Sequence, residues 1–265
     1  MDLILFSGYF FVFILGLCIG SFLNCVIYRM EQDKKITGRS FCPHCKKTLR
    51  WIDLIPVLSF IFLGGKCRHC KNKISWQYPA VELATGLLFL LIFNYVIAGL
   101  TRNPGDWTPA FAGMAFYFYI VASLVVIFVY DLKHYLIPDK ILIPATIIAI
   151  AYIILTSQNF LNYLFASVAA SGFFLAIYLF SGGRAIGFGD VKLAVLMGFL
   201  LGFPDILVAL FFAFVIGAII GVISILLNKK NLKSEIPFGP FLIFGTFLAL
   251  FFGQQIIVWY FNIFA

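Results

Sequence analysis

Two aspartates are the residues of this chain whose positions most favour chemistry. Asp190 lies in the stretch GRAIGFGDVKLAVLMGFLLGF (183–203), and Asp131 lies in YDLKHYLIPDK (130–140). Each stands beside a long apolar run, where a carboxylate is costly in free energy, and such a residue is therefore a candidate for a functional role. Two carboxyl groups held close together share a proton, because both cannot ionise at low cost. The ionised group can accept a proton from water while the neutral group donates to a peptide carbonyl, which is the chemistry of an aspartic protease.

Three neighbours of Asp190 fit the same chemistry. Gly187 and Gly189 lack side chains, so an extended substrate strand could approach the carboxylate closely. Lys192 could change the acidity of Asp190 or contact substrate carbonyls. The sequence predicts these three residues as the supporting loop of the site.

Other readings of the acids stay open at this stage. Asp190 precedes an apolar run and could simply cap a helix. Asp131 stands near Lys133 and could be an ordinary interfacial residue, or both acids could serve ion-coupled transport. Asp139 follows Pro138, which favours a turn or a helix start for that acid.

Four cysteines form the second candidate site. They occur as CPHC (Cys42 and Cys45) and CRHC (Cys67 and Cys70), with 21 residues between the pairs. Paired C-x-x-C knuckles at this separation are typical of a structural four-thiolate zinc site. The alternative is a pair of redox-active or adventitious C-x-x-C sequences. We predict zinc, because a loop of this size buries little core and a metal would supply the missing folding free energy.

The two aspartates are predicted to lie at the ends of membrane-spanning helices, and the four cysteines in a loop between two such helices. Of the 265 residues, 63% are hydrophobic and 11% are charged, which excludes an ordinary soluble domain. We therefore predict an all-α, polytopic membrane protein with about eight transmembrane helices and a zinc-bound cytoplasmic loop domain. The predicted spans are 3–28, 79–100, 111–130, 141–157, 160–181, 191–203, 206–227 and 237–261. The sixth is too short to cross alone, so it must borrow flanking residues, thin the bilayer or be shielded by its neighbours.

The basic residues predict the orientation of the chain. With alternating crossings, 18 of the 19 Lys and Arg residues fall on one side, which the positive-inside rule makes cytoplasmic. Both termini are then outside, and the first span is a retained helix. Two spans separate Asp131 from Asp190, so both acids are predicted at the cytoplasmic face. The net charge of +8 is explained by this topology and by anionic lipid, and it needs no nucleic-acid partner.

The order of apolar runs and polar loops divides the chain into three predicted domains. Residues 1–28 form the first transmembrane helix, and residues 29–78 form the cytoplasmic zinc-binding loop domain. Residues 79–265 form a multi-helix membrane domain that contains the two aspartates. The apolar stretch 51–66 inside the loop is too short to span and is predicted to lie at the membrane interface.

At the level of motifs, the chain resembles a known family. GFGD (187–190) matches the G-x-G-D signature of intramembrane aspartyl proteases, and the fuller set resembles the type IV prepilin peptidases, also called leader peptidase/N-methyltransferases. The motifs follow the order of that family over nearly the whole chain. They are GSFLNCVIYR (20–29), CPHC with CRHC, LIPVLSF (54–60), ISWQYPAVELATG (74–86), DLKHYLIPD (131–139), GFGDVKL (187–193) and PFGPFLIFG (237–245).

The resemblance implies a specific activity. Such enzymes remove the short leader of type IV prepilins or pseudopilins at the cytoplasmic side of the bacterial inner membrane, in pilus assembly or type II secretion. Many then methylate the new N-terminal residue, often Phe, with S-adenosylmethionine. It implies that Asp131 and Asp190 are the catalytic pair and that the four cysteines bind zinc. It also associates the loop domain with the methyltransferase activity.

Three further polar residues are candidates for the methyltransferase or substrate site. Glu82 could bind the new ammonium terminus, or it could be a buried acid paired with Arg29 or another cation. Asn24 and Arg29 could contact cofactor or substrate, or could anchor the end of a helix. No Gly-rich loop after a strand marks a nucleotide site. The alternatives to the bifunctional enzyme are a peptidase without methyltransferase activity and a zinc-stabilised scaffold or ion-coupled transporter.

Overall fold

The chain folds into helices, as the sequence predicts. A computed structural model describes residues 3–102, 107–156, 159–227 and 236–264. Within those ranges the only β pairing is two isolated bridges, Phe41 with Thr48 and Lys66 with Lys73. The helices are α1 (Leu3–Glu31), α2 (Leu58–Phe62), α3 (Gln77–Arg102), α4 (Trp107–His134), α5 (Asp139–Thr156), α6 (Phe160–Ser181), α7 (Phe188–Leu201), α8 (Asp205–Leu226) and α9 (Gly239–Phe264), with a 3₁₀ turn at Trp51–Leu54.

Seven of these helices are long and apolar enough to cross a membrane. They are α1, α3, α4, α5, α6, α8 and α9, and they coincide with seven of the predicted spans. The chain is therefore an integral membrane protein of the predicted all-α class. Lys229, Lys230 and Lys233, on which part of the orientation argument depends, lie outside the described residues. The same holds for residue 157, at the end of the predicted fourth span.

The remaining predicted span, the sixth in chain order, is the short helix α7, and its neighbours shield it. It has 14 residues, ten of them buried, and it contacts α5, α6, α8 and α9. As a helix it rises only about 21 Å. At one end Phe188 stacks near Tyr178 of α6, and at the other Phe203 exchanges two hydrogen bonds with the Asn162 side chain. The segment from Phe188 to Phe203 thus runs antiparallel to α6 over nearly its full length.

Small residues allow the close contacts that surround α7. A Cβ on Gly198 would overlap the Cα of Ser167 in α6, so any side chain at this position would clash. The Ser167 hydroxyl donates to the carbonyl of Val195 at 3.1 Å. A Cβ on Gly245 of α9 would likewise overlap the carbonyl oxygen of Ala209 in α8. Helices in membranes commonly associate through small residues and hydrogen bonds of this kind, because lipid offers no hydrophobic driving force between them.

The chain forms two compact units, Met1–Val126 and Ile127–Ala265. In the first unit α1 packs antiparallel to α3. A Cβ on Gly20 would lie only 2.7 Å from the Cα of Glu82, while Tyr9 near the other end donates to Asn94 at 2.9 Å. In the second unit α5, α6, α8 and α9 surround the buried helix α7. The loop with the four cysteines belongs to the first unit, and both candidate catalytic aspartates belong to the second.

Candidate functional site

Asp131 is a buried acid on the last turn of α4. Its residue is 4% exposed, and the helix continues to His134 rather than ending before the acid. The carboxylate accepts a hydrogen bond from the backbone N–H of Gly239, the first residue of α9. A Cβ on Gly239 would lie 2.5 Å from Asp131 Oδ2, so only glycine permits this approach. The amino end of α9 therefore offers Asp131 both an N–H donor and the positive end of a helix dipole.

Asp190 is a buried acid on the first turn of α7. It is 6% exposed, and its Oδ2 accepts the Gly187 N–H at 3.2 Å. It thus makes the capping bond that was one of its open interpretations. The capping bond is not its only interaction, because its carboxyl group also lies close enough to Asp131 to interact with it electrostatically. Each acid has one glycine N–H as a donor and the other acid as a neighbour.

Ile137, in the connection between α4 and α5, packs against a glycine next to each acid. A Cβ on Gly189 would lie 3.0 Å from the Cβ of Ile137, and a Cβ on Gly239 would lie 3.3 Å from its Cδ1. One side chain therefore sets the spacing of the two glycine segments that neighbour the acids. The sequence reasoning missed Ile137 and Gly239. Both lie in the quoted stretches DLKHYLIPD and PFGPFLIFG, which are the only signals that could have pointed to them.

Lys192 forms an ion pair with Asp139. Its Nζ donates to both carboxylate oxygens, at 2.9 and 2.7 Å, and lies 5.3 Å from the centre of the Phe188 ring. Asp139 is the first residue of α5, as its predicted helix-start role requires. The pair joins the amino ends of α5 and α7 beside Asp190. The expected direct effect of Lys192 on Asp190 or on substrate stays a prediction.

The four loop cysteines form one cluster suited to a metal. All four sulfurs lie within 4.8 Å of one another, and none is in a disulfide. Zinc–sulfur bonds of ~2.3 Å place tetrahedral sulfurs about 3.8 Å apart, and Cys42 and Cys70 are separated by 3.9 Å. The thiol set, its count and its spacing therefore fit a closed structural zinc site.

The two knuckles have the same backbone structure. In the first, the Cys42 N–H donates to the Lys47 carbonyl at 2.9 Å, and the Lys46 N–H donates back to the Cys42 carbonyl. The second repeats both bonds with Cys67, Asn72 and Lys71. Lys46 and Lys71 have φ values of 59° and 58°. The turns point their sulfurs to a common centre, and they form an internal repeat that the sequence analysis did not identify.

Local hydrogen bonds prepare the cluster for a cation. Backbone N–H groups of Cys70 and His69 lower the pKa of Cys67 to about 7. Although the Asn72 N–H favours the thiolate of Cys70, burial and the neighbouring thiols raise the pKa of Cys70 to about 11. Metal ligands must be deprotonated, and four thiolates this close together repel one another unless a cation lies between them.

An ion pair supports the loop outside the cluster. Arg68 donates to Asp53 Oδ1 at 2.8 and 2.9 Å, and the Arg50 N–H reaches Asp53 Oδ2. Burial alone would raise the pKa of Asp53, but these bonds and charges hold it below its ordinary value. The pair ties the 3₁₀ turn Trp51–Leu54 to the second knuckle.

Arg29 and Glu82 hold the loop to the helices, and Asn24 joins α1 to the first turn of α3. The Arg29 guanidinium donates to the carbonyls of four loop residues, Lys35, Ile36, Gly38 and Arg39. Asn24 Nδ2 donates to the Tyr78 carbonyl at 3.1 Å. Glu82 Oε2 accepts the Val57 N–H at 2.7 Å, and the carboxylate is also bonded to the Ser21 side chain. Among the described residues Glu82 and Arg29 thus have separate partners and do not pair with each other.

Comparisons with known proteins agree with a helical membrane protein of this kind. The Bacterial Peptidase A24 N-terminal domain matches residues 14–96, and the Type IV leader peptidase family matches residues 117–222. A prepilin leader peptidase/N-methyltransferase of Legionella pneumophila is 33% identical, over 95% of this chain and 94% of that protein. Proteins of the same name from Bacillus subtilis and Pseudomonas aeruginosa are 35% and 30% identical, covering 94% and 92% of this chain and 96% and 90% of their own. No solved structure matches. The chain belongs to the type IV leader peptidase family.

Proposed function

We propose that this protein is a membrane-embedded aspartic endopeptidase that removes the leader of prepilins or pseudopilins and then methylates the new N-terminus. The observation that carries the proposal is the pair of buried acids, Asp131 and Asp190, at helix ends within one compact unit. Family membership supports the substrate class and both activities.

The proposed cleavage uses the two acids as a pair. The ionised carboxylate takes a proton from water, whose oxygen attacks the scissile carbonyl carbon, while the neutral carboxyl group gives its proton to the carbonyl oxygen. The resulting tetrahedral diol collapses as its C–N bond breaks: the carboxyl group that took the proton from water gives it to the leaving nitrogen, and the other carboxylate takes back a hydroxyl proton from the diol, which becomes a carboxylic acid. The N–H groups of Gly187 and Gly239 hold the carboxylates in place throughout.

The two glycines of GFGD have different surroundings, which suggests different roles. A Cβ on Gly187 would meet only Asp190 Oδ2 at 3.6 Å and the Gly189 nitrogen, so its outer face is open to a substrate backbone. Gly189 packs on Ile137 instead. Lys192, held by Asp139, would support the loop as a positioning residue. Substrate access is therefore assigned to Gly187, and close packing to Gly189.

The loop would carry a zinc ion and serve methylation. Cys42, Cys45, Cys67 and Cys70 would hold the metal, which when bound supplies folding free energy to the loop. S-adenosylmethionine is the proposed methyl donor. We retain the predicted division into residues 1–28, 29–78 and 79–265 as part of this proposal.

The proposed location is the bacterial cytoplasmic membrane, with both sites on the cytoplasmic side. The even number of spans between Asp131 and Asp190 supports a common face for the acids, because α5 and α6 are both long enough to cross. The contacts of Phe188 and Phe203 with opposite ends of α6 support α7 as an additional crossing, the sixth in chain order. Both termini would then lie outside.

The proposal is tested with the purified full-length protein in lipid vesicles and a prepilin substrate. Intact-mass spectrometry should show loss of the leader without S-adenosylmethionine. With the donor present, the same product should gain one methyl group. A protein that leaves prepilins and pseudopilins uncut under conditions where it is folded would contradict the proposed function.

Gly239→Ala should impair leader cleavage strongly. The new methyl group would lie 2.5 Å from Asp131 Oδ2 and must displace the carboxylate. Because a misplacement of ~1 Å can cost about 10²-fold in rate, we expect kcat/KM to fall about 10- to 100-fold. The matched control is Gly172→Ala in α6, where a Cβ meets nothing within 4 Å. Equal rates for the two variants in a peptide-release assay would refute the role of Gly239.

Asp139→Asn should have a small effect. The pair with Lys192 is solvent-accessible, with side chains 51% and 36% exposed for Asp139 and Lys192. Exposed pairs contribute ~1 kcal/mol or less, so we expect leader cleavage to change by less than about fivefold. The same release assay measures it, and a loss as large as that caused by Gly239→Ala would make Asp139 part of the catalytic group.

A further inference from the structure

A cavity of about 260 Å³ lies between the carboxyl half of α1 and the loop with the four cysteines. One wall is a single face of α1, formed by Cys18, Ser21, Phe22, Cys25 and Arg29. The other wall comes from the loop segments 36–40 and 54–56. All of these residues belong to the first compact unit, and no role assigned above uses the space between them.

Arg29 is the charged side chain of this cavity. It is 4% exposed, and its terminal nitrogens donate to the four loop carbonyls named above. Carbonyl oxygens accept hydrogen bonds but carry no formal charge, and no carboxylate of the described residues forms an ion pair with Arg29. A buried charge without a counter-charge is costly. An anion in the cavity would therefore supply the charge that Arg29 lacks.

Two loop residues add hydrogen-bond donors to the same cavity. Gly38 and Ser40 line it, and within residues 32–76, all of which the structure describes, neither backbone N–H donates to a carbonyl. A Cβ on Gly38 would meet only an Arg29 nitrogen, at 3.9 Å, so there is space beside the guanidinium. Guanidinium and backbone N–H groups are the usual partners of phosphate oxygens. The cavity thus has the donors that a phosphate group needs.

The surroundings of the cavity are those of a membrane surface. The apolar stretch 51–66, which supplies one cavity wall, exposes Trp51 and Phe62 by 76% and 84% although it lies outside the spanning helices. Exposed aromatic side chains of this kind are typical of the layer where lipid headgroups meet the hydrocarbon. Phe22, which lines the cavity from a spanning helix, is also exposed. The cavity therefore joins a polar, cationic end to a face that is in contact with lipid.

We propose that this cavity binds the headgroup phosphate of an anionic phospholipid, whose acyl chains lie along α1 beside Phe22 and Cys18. Charge complementarity supports this occupant, because 11 of the 19 Lys and Arg residues lie between Arg29 and Lys73, and basic pockets on the cytoplasmic side bind such headgroups. The cavity is smaller than the ~300–1,000 Å³ pockets that enclose drug-sized ligands, so it takes a headgroup and leaves the chains outside.

This inference rests on the cytoplasmic location proposed for the loop, and it adds a lipid to the proposed function. Its tests measure binding and need no turnover. A protein that neither cuts nor methylates a pilin would contradict the proposed function, and the lipid assays would still decide the cavity.

The first test is native mass spectrometry of the full-length protein with its metal, in detergent with equal amounts of phosphatidylglycerol and phosphatidylcholine. The wild type should retain phosphatidylglycerol at least about fivefold better, the preference that one cation gives at an anionic surface. Ser40→Glu adds a carboxylate to the cavity that Arg29 lines, and should remove this preference. Ser40→Gln, which has the same size but no charge, should keep it. Thr48→Glu, at an exposed loop position outside the cavity, should also keep it.

Several results of this test would overturn the proposal. Equal retention of the two lipids by the wild type, or equal losses in Ser40→Glu and Ser40→Gln, would mean that Arg29 does not select an anionic headgroup. An equal loss in Thr48→Glu would make the preference a general effect of the basic loop. Displacement of the lipid by inorganic phosphate or by glycerol 3-phosphate would make the cavity a site for soluble phosphates. Displacement by S-adenosylhomocysteine would make it the donor site.

The second test needs no variant and compares amide hydrogen exchange of the wild type in phosphatidylglycerol and phosphatidylcholine vesicles. The amides of residues 36–40 should exchange about fivefold more slowly in phosphatidylglycerol, because the phosphate accepts from donors that have no carbonyl partner. Residues 67–72 of the second knuckle are the internal control, since their bonds are made within the knuckle. Equal exchange of residues 36–40 in the two lipids, or equal slowing in the knuckle, would refute the lipid site.

Discussion

Asp131→Asn and Asp190→Asn should each abolish leader cleavage. Asparagine keeps the shape of the side chain but cannot accept or donate the transferred proton, so the pair loses its acid–base function. We expect kcat/KM to fall about 10³-fold or more for each variant. The double variant should be no worse than either single one, because residues that act as a unit are strongly non-additive. Release of the leader from a prepilin in vesicles measures the effect.

The control for this prediction is Asp139→Asn, an acid at the amino end of α5 in the same unit. Its small expected loss separates a general effect of removing a carboxylate from the specific loss of the pair. All variants should match the wild type in yield and thermal unfolding. Cleavage that survives either Asp131→Asn or Asp190→Asn would rule out the acid pair as the catalytic group.

The second large effect is expected at the zinc cluster. In a Cys42→Ser/Cys45→Ser variant the metal should be lost, and with it the ~10–16 kcal/mol of apparent binding free energy that structural zinc contributes to folding. The loop should then unfold and methylation should disappear. Leader cleavage should remain, because Asp131 and Asp190 lie in the other compact unit. Metal content, amide hydrogen exchange of residues 41–73 and the mass of the product measure the three effects.

A glycine substitution in the second knuckle serves as the control for zinc loss. Lys71 has a φ of 58°, which glycine adopts without strain, so Lys71→Gly should keep the metal and the methylation activity. If the double cysteine variant still methylated at the wild-type rate, the assignment of the loop to methylation would be wrong. If it lost cleavage and methylation together while the membrane helices stayed folded, the two activities would not be separable as proposed.

The helices themselves were predictable because lipid imposes a simple rule on sequence. Apolar runs such as 160–181 and 206–227 nearly coincide with α6 and α8, since a spanning segment must satisfy its own backbone. The helix ends were less accurate at the polar boundaries. Asp131 lies inside α4, one turn before its end, because three more residues continue the helix beyond the apolar run.

The tertiary contacts around the acids were not predictable from local pattern. Gly239 lies 108 residues after Asp131, and nothing near either residue indicates that they touch. The same is true of the partner of Lys192, which is the distant Asp139. Counting crossings could give both acids a common face, but their neighbours depend on how α4, α7 and α9 meet. The shielding of α7 was one of three options that its length left open.

In the loop, the candidate metal site was predictable from the sequence, whereas the contacts that hold the loop in place were not. Cysteine spacing alone predicted the metal cluster, because thiolate coordination needs few residues at nearly fixed separations. The roles of Arg29, Asn24 and Glu82 needed the structure. Most of their partners are backbone groups, as in the bond from the Val57 N–H to Glu82, and a backbone partner leaves no mark in the sequence.

The most direct test of the account is the intact mass of one prepilin after incubation with S-adenosylmethionine and each of three proteins. The wild type should yield a product without its leader and with one added methyl group. Asp190→Asn should leave the prepilin at its full mass, and Cys42→Ser/Cys45→Ser should yield the shortened product without the methyl group. A shortened product from Asp190→Asn would contradict the central claim that Asp131 and Asp190 together cut the leader.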